Sequence, residues 1–240
     1  MTAAICTRKI HAAFDYAAEC HSGQVRKGTR IPYLSHLMAV ASLVTEAAAD
    51  GEAELPDDFE DLVVAGLLHD AVEDCGGPPV LHDIRRRFGD RVADIVEHCT
   101  DAMPAPGEAK VPWAARKRAY LAMLEGKKDY RALLVTAADK LHNTRAILTD
   151  LRSYERDGRP PEDFWRRFTE GKPDAELGSL VPEILWYYQS LAEILLRKAE
   201  EEARELPPGR LARLAAELKS AVGAMLRFAA RAGFTPHPPA

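Results

Sequence analysis

Apolar residues recur at three- and four-residue spacing along most of the chain, which is the pattern of helices that bury one face. The first such stretch, residues 7–21, places Ile10, Ala13, Phe14 and Ala17 on one side. No stretch shows sustained alternation of β-branched and polar residues, so we expect an all-α fold. The same spacing predicts further helices at about residues 34–49, 80–88, 91–99, 112–126, 130–151, 161–169, 180–204 and 206–231.

The stretch from Leu62 to Cys75 is an apolar run that ends in four polar side chains. A continuous helix here would place His69 over Glu73 and Asp70 over Asp74, because residues four apart share a face. Burying one imidazole and three carboxyl groups without partners would cost several kcal/mol, and a bound cation is one way to lower that cost. The pattern therefore predicts a metal site at the end of a buried helix.

Glycine and proline mark the segments between the helices. Residues 24–33 contain three cations beside a glycine and a proline, which predicts a loop, and residues 76–79 (Gly-Gly-Pro-Pro) end the central helix. Residues 100–111 are predicted to be a loop, and residues 233–240 a frayed tail.

Composition narrows the class of protein. The chain has 240 residues, 47% of them hydrophobic and 29% charged, which is ordinary for a soluble globular protein. Its net charge of −5 argues against a nucleic-acid-binding protein. No apolar run approaches the roughly 20 residues of a membrane span, and no secretory signal is evident, so a cytoplasmic protein without a membrane partner is expected. The four cysteines form no CxxC pair, which predicts reduced thiols.

A metal site at His69 and Asp70 needs further ligands from elsewhere in the chain. His36 and Asp139 are the best donors, because each is a polar residue set beside apolar helical positions. Two imidazoles with two carboxylates suit manganese, iron or zinc better than calcium, which prefers oxygen ligands alone. Such an ion makes its coordinated water acidic enough to act as a nucleophile.

Several stretches together resemble the HD superfamily of metal-dependent phosphohydrolases, and most closely the hydrolase domain of the RelA/SpoT alarmone family. The chain looks like a stand-alone small alarmone hydrolase. The resemblance covers about residues 7–150 and continues weakly to residue 196. It is carried by Gln24-Val-Arg-Lys-Gly28, Pro32-Tyr-Leu-Ser-His36, His69-Asp-Ala-Val-Glu-Asp74, Phe88-Gly-Asp-Arg-Val-Ala93 and Ala138-Asp-Lys-Leu-His-Asn143.

The resemblance implies an HD-domain helical bundle with additional C-terminal helices, and a Mn²⁺ cofactor. It implies that Glu73 and Asp74 activate water and manage its proton. Arg26 and Lys27 would neutralise substrate phosphates, and Asn143 would face the ribose or base. The implied reaction converts ppGpp to GDP and pyrophosphate. The implied metal ligands are His36, His69, Asp70 and Asp139.

The resemblance also implies an HD-type hydrolase domain over residues 1–196, followed by a C-terminal helical extension and tail over residues 197–240. The last helix can pack on the domain or on a second subunit, which leaves a homo-oligomer open. Gly28-Thr29-Arg30 and Leu37 depart from the family pattern. These departures leave open ppApp, NADPH or another nucleotide as substrate, and a non-catalytic alarmone sensor as a second class of function.

Overall fold

The computed structural model describes residues 7–50, 54–100, 112–168, 177–206 and 209–239. Within these ranges the chain is helical and has no strand; Val25 and Pro32 form one isolated antiparallel bridge. The predicted all-α class is confirmed. The helices are α1 (Arg8–Cys20), α2 (Leu34–Ala49), α3 (Phe59–Leu68), α4 (Ala71–Cys75), α5 (Pro78–Phe88), α6 (Asp90–Cys99), α7 (Trp113–Gly126), α8 (Tyr130–Arg156), α9 (Pro161–Trp165) with a 3-10 turn at Arg166–Phe168, α10 (Leu177–Glu205) and α11 (Leu211–Arg231).

The predicted helix from Leu62 to Cys75 is wrong in one respect, because it is two helices, α3 and α4, joined by a turn at His69 and Asp70. The Gly66 carbonyl, which a continuous helix would offer to the Asp70 N–H, accepts a hydrogen bond from Nδ1 of His69 at 3.0 Å. The turn points both side chains to one place, which two adjacent residues on a straight helix do not achieve.

Helix α3 is buried along its whole length from Leu62 to Leu68, and α2 packs closely against it. Gly66 permits this approach, because a Cβ atom there would lie 3.1 Å from Cα of Ala41 on α2. An all-apolar helix of this kind belongs in the centre of a domain. His36 at the N-terminal end of α2 and His69 at the C-terminal end of α3 are therefore held in a fixed relation to α8, which packs on both helices.

The C-terminal helices pack on the rest of the chain. Helix α11 lies against α8 and α10 and buries Leu214, Leu218 and Met225. The prediction of a frayed tail is wrong for the described residues 233–239, because the His237 N–H donates to the Pro182 carbonyl and the Pro239 carbonyl accepts a hydrogen bond from Arg118.

The predicted boundary at residues 196 and 197 falls inside α10, and the division of the chain there stays a prediction. The predicted loop at 100–111 lies almost entirely outside the described residues. Among the helices that the structure describes, none combines the length and apolar character needed to cross a membrane.

Two cysteines that the sequence analysis took for free thiols are paired. Cys20 at the end of α1 and Cys75 at the end of α4 form a disulfide, with their Cα atoms 5.8 Å apart. They are 55 residues apart in sequence, so their spacing gave no sign of the pairing. Cys99 is a free thiol, as predicted.

Candidate metal centre

Three elements bring the predicted metal ligands together. His36 lies in the first turn of α2, His69 and Asp70 form the α3–α4 turn, and Asp139 lies on α8. Oδ1 of Asp139 is 3.2 Å from Nε2 of His36 and 3.8 Å from Nε2 of His69. Oδ2 of Asp70 is 3.5 Å and 3.1 Å from the same two nitrogens. Two imidazoles and two carboxylates thus face one point.

The residues fit a divalent metal ion. Nε2 of His36 and Nε2 of His69 are buried and make no hydrogen bond within the described part of the chain, although carboxylate oxygens lie nearby. Buried polar atoms are normally hydrogen-bonded, so two such orphans aimed at one point indicate a missing partner. Ligand atoms of His36, His69 and Asp139 all lie within 4.8 Å of one another, as a shared ion requires.

The opposite ring nitrogens fix the orientation of both imidazoles. Nδ1 of His69 donates to the Gly66 carbonyl, which leaves Nε2 with a lone pair for a metal. Nδ1 of His36 lies 2.7 Å from Nδ1 of His142, so one of the two rings donates to the other. The pKa of His142 is lowered to about 4 by burial and by the neighbouring His36 and Arg26, which keeps His142 neutral, so that one of its ring nitrogens can accept a hydrogen bond.

The carboxylates are held by partners that the sequence analysis did not single out. The Tyr33 hydroxyl donates to Oδ2 of Asp70 at 2.6 Å. The ammonium group of Lys140 lies 2.7 Å from Oδ2 of Asp139, which turns Oδ1 of that carboxylate towards the histidines. Tyr33 and Lys140 each lie within one of the motifs that carry the family resemblance, but only the folded chain shows which carboxylate oxygen each one contacts.

Charges inside the cluster shift its proton equilibria. Burial alone would lower the pKa of His69, but the carboxylates of Asp70 and Asp139 hold it well above the usual value. Burial opposes ionisation of both carboxyl groups, yet His69 holds the pKa of Asp70 well below its usual range, and Lys140 does the same for Asp139. A proton on His69 thus takes part of the place that a cation would fill.

The predicted catalytic carboxylates lie on α4, immediately after the metal turn. Glu73 and Asp74 are both exposed. Oδ2 of Asp74 accepts a hydrogen bond from Gln24 at 2.8 Å and lies 4.0 Å from Nδ1 of His21. Asp74 keeps its place one helical turn after Asp70 despite the break between α3 and α4, because its N–H donates to the Asp70 carbonyl at 3.0 Å.

The predicted substrate residues line a pocket of about 450 Å³ beside the cluster. Asn143 lies one turn after Asp139 on α8 and donates to its Oδ1 at 2.5 Å. Oδ1 of Asn143 accepts a hydrogen bond from Arg26 at 2.8 Å, which connects the loop to the metal ligand. Lys27 lies over the ring of Phe168, with Nζ 5.6 Å from the ring centre. Arg26, Lys27 and Asn143 are thus brought together. Arg167 and Phe168 also line the pocket, and they lie in the stretch where the family resemblance was weak and assigned no site residue.

A larger cavity, of about 830 Å³, lies between α3, α8, α10 and α11. Its lining includes paired charges, such as Arg210 with Asp58 and Arg131 with Asp129. It shares no lining residue with the pocket beside the histidines. We therefore take the smaller pocket as the substrate site, because it adjoins the metal ligands.

Comparison with known proteins agrees with this geometry. Residues 13–158 match the family described as HD domain. A GTP pyrophosphokinase of Streptomyces coelicolor is 37% identical over 141 residues, which are 58% of this chain and 15% of that protein. A probable guanosine-3′,5′-bis(diphosphate) 3′-pyrophosphohydrolase of Synechocystis is 34% identical over 140 residues, which are 58% of this chain and 16% of that protein. The chain thus spans only a small part of the length of these relatives.

A solved structure of a metazoan ortholog of SpoT, described as hydrolysing ppGpp, has a TM-score of 0.58 with this chain at 22% identity. The superposition covers 92% of this chain and 95% of the other. At this level of identity, the likeness shows a shared fold.

Proposed function

The chain belongs to the HD-domain family, and we propose that it is a metal-dependent phosphohydrolase that converts ppGpp to GDP and pyrophosphate. The observation that carries the proposal is the buried cluster of His36, His69, Asp70 and Asp139, which opens beside a pocket lined by cations. The Synechocystis relative is described as acting on the same 3′-pyrophosphate group, which supports this substrate.

We propose Mn²⁺ as the ion, held by His36, His69, Asp70 and Asp139. Mixed nitrogen and oxygen ligands favour a transition metal over calcium or magnesium. When bound, the ion supplies a Lewis acid and an acidified water for attack on phosphorus. Tyr33 and Lys140 keep the two carboxylates oriented towards the ion, and His142 does the same for His36.

The remaining roles belong to side chains at the edge of the cluster. Glu73 and Asp74 accept the proton of the attacking water, since both carboxylates follow the metal turn directly. The hydrogen bond from Gln24 gives Asp74 a defined orientation. Arg26 and Lys27 neutralise the phosphate charge that develops during the reaction, and Asn143 orients Arg26 by accepting its hydrogen bond.

We place the enzyme in the cytoplasm, with residues 1–196 as the hydrolase domain and residues 197–240 as an extension that supports it. Helix α11 stabilises the domain in this arrangement, because it packs along α8, the helix that carries Asp139 and Asn143. A small phosphorylated nucleotide is the partner that the pocket fits.

The proposal is tested by measuring pyrophosphate and phosphate released from ppGpp, ppApp and NADPH, with Mn²⁺ and with a chelator. We expect Mn²⁺-dependent release of pyrophosphate from ppGpp. Release from ppApp alone would move the assignment to an adenine alarmone, and release of phosphate from NADPH would indicate a broader phosphatase. Binding of ppGpp without turnover of any of the three would replace the hydrolase with a sensor.

A further inference from the structure

The substrate pocket extends along α8, away from the metal cluster. On this helix the pocket lining runs from His142, close to the metal cluster, to Asp150. Eight residues separate them, which is about 12 Å along a helix axis. A pocket of this length has a second end, at a distance from the reacting phosphorus, where another part of the substrate must lie.

Arg167 lines that second end. It belongs to the 3-10 turn Arg166–Phe168, which lies beyond the part of the chain that matches the HD-domain family. Its Nη1 donates to Oδ2 of Asp150 at 2.6 Å, and its guanidinium carbon lies 4.0 Å from the centre of the Phe164 ring. An arginine held by a carboxylate and an aromatic face is oriented before a ligand arrives, so little conformational entropy is lost on binding.

Gly28 makes room for this side chain. A Cβ atom at Gly28 would lie 3.1 Å from Cδ of Arg167 and 3.5 Å from its Cβ. The backbone at Gly28 has φ of +71°, a conformation that side-chain-bearing residues rarely adopt. The Gly28-Thr29-Arg30 segment, which departs from the family pattern, is therefore the place where the cationic loop meets Arg167.

The charge of the lining favours an anion. Among the lining residues that the structure describes, four carry a guanidinium or ammonium group and one carries a carboxylate: Arg26, Lys27, Arg145 and Arg167, against Asp150. Arg26 faces the metal end through its bond to Asn143. Arg167 lies at the other end, where Asp150 offsets part of its charge and orients it, and a guanidinium suits the geometry of a phosphate group.

We propose that Arg167 is a specificity-determining residue that binds the 5′-phosphates of the nucleotide whose 3′-pyrophosphate lies at the metal cluster. The inference rests on the proposed function, since that function places the 3′-group at the metal. It makes the protein selective for nucleotides that carry phosphates at both ends.

The test compares ppGpp with guanosine 3′-diphosphate, which carries the same 3′-pyrophosphate but has a 5′-hydroxyl. Arg167→Met keeps the side-chain stem beside Gly28 and removes the charge. We expect the ratio of kcat/KM for ppGpp to that for guanosine 3′-diphosphate to fall about tenfold, the usual loss for one charged hydrogen bond. Arg167→Lys should recover part of the ratio. Arg166→Met is the matched control, because Arg166 is exposed, pairs with Asp163 and does not line the pocket.

Equal losses for the two substrates would show that Arg167 only supports the loop, and would overturn the proposal. Calorimetric binding of GDP and guanosine to each variant gives a readout independent of turnover. Weaker binding of GDP, but not of guanosine, to the Arg167→Met protein supports the role even if ppGpp is not hydrolysed, in which case only the proposed function fails. Thermal unfolding of all three variants verifies that each one folds.

Discussion

The imidazole of His69 connects the metal cluster to the backbone of α3. Its Nδ1 is occupied by the Gly66 carbonyl, so only Nε2 can bind a metal or a proton from the cluster. Nearby carboxylates hold the pKa of His69 well above its usual value in the metal-free protein. Metal binding at Nε2 therefore competes with protonation of this ring.

The first prediction concerns this exchange. A raised pKa means that protonation opposes metal binding over a wider pH range, so the apparent affinity for Mn²⁺ should rise with pH by up to tenfold per unit until the pKa of His69 is passed. Titration calorimetry in two buffers of different ionisation enthalpy should show release of about one proton per ion near neutral pH. An affinity that is constant between pH 6 and 8 would contradict the prediction.

The second prediction separates ligand from catalyst. His69→Ala should abolish Mn²⁺ binding, because it removes a nitrogen ligand that faces both carboxylates. Glu73→Ala should keep the metal and lower turnover by about 10²- to 10⁴-fold, the range for general acid–base catalysis. His82→Ala, at an exposed position, is the control and should match the wild type in both respects. The metal content and the turnover rate of each variant are measured on the same preparation. Full activity in the Glu73 variant would remove that residue from the mechanism.

The sequence predicted the four residues that form this cluster, but it did not predict the side chains that orient them. His36, His69, Asp70 and Asp139 stand in short motifs, and the structure brings all four together. Tyr33 contacts one oxygen of Asp70, and Lys140 contacts one oxygen of Asp139. The spacing of residues in the sequence does not show in which direction each carboxylate oxygen points. Arg167 was missed because it reaches the pocket through tertiary packing alone.

At the scale of the elements, the approach of α2 to α3 decides where the metal ligands meet. Both helices appear in the sequence as apolar runs. Helix α2 begins and ends as predicted, at Leu34 and Ala49. The break after Leu68 was not predicted, because the residues on both sides favour a helix and a side-chain hydrogen bond makes the turn. Periodicity is a property of local sequence, whereas this turn also depends on the carboxylates and helices around it.

The third prediction tests the packing at this approach. Gly66→Ala should destabilise the protein by about 1–3 kcal/mol, because the added methyl group meets backbone atoms of α2 that cannot move aside easily. Gly223→Ala on α11 is the matched control, since its Cβ would meet only the mobile end of Arg227, at 3.5 Å. The control should be neutral or stabilising by up to about 1 kcal/mol, from helix propensity. Urea unfolding measures both, and equal effects in the two variants would refute the packing argument.

At the scale of the whole molecule, the C-terminal helices are part of the same packed body as the metal site. Leu211, Leu214, Leu218, Val222 and Met225 are buried on α11, whose neighbours include α8 and α10. The sequence left open whether this helix packs on the domain or on a second subunit. The structure shows packing on the domain, a tertiary contact that amphipathic periodicity does not specify.

The fourth prediction follows from that packing. A chain that ends at Leu206 should lose cooperative thermal unfolding and bind Mn²⁺ weakly, because the apolar face of α8 that α11 covers would be exposed to water. Circular dichroism during heating and gel filtration measure stability and association. A truncated protein that unfolds as sharply as the full chain would show instead that residues 207–240 are a dispensable appendage.

The three ligand-bearing elements also set an order of events during synthesis. His36 and Asp139 are more than 100 residues apart in the chain, and they meet only when α8 has docked on α2 and α3. A growing chain therefore has no complete metal site until its C-terminal half has emerged and folded. An ion that binds only the finished arrangement stabilises it by mass action. Incomplete chains should consequently lack the proposed hydrolase activity.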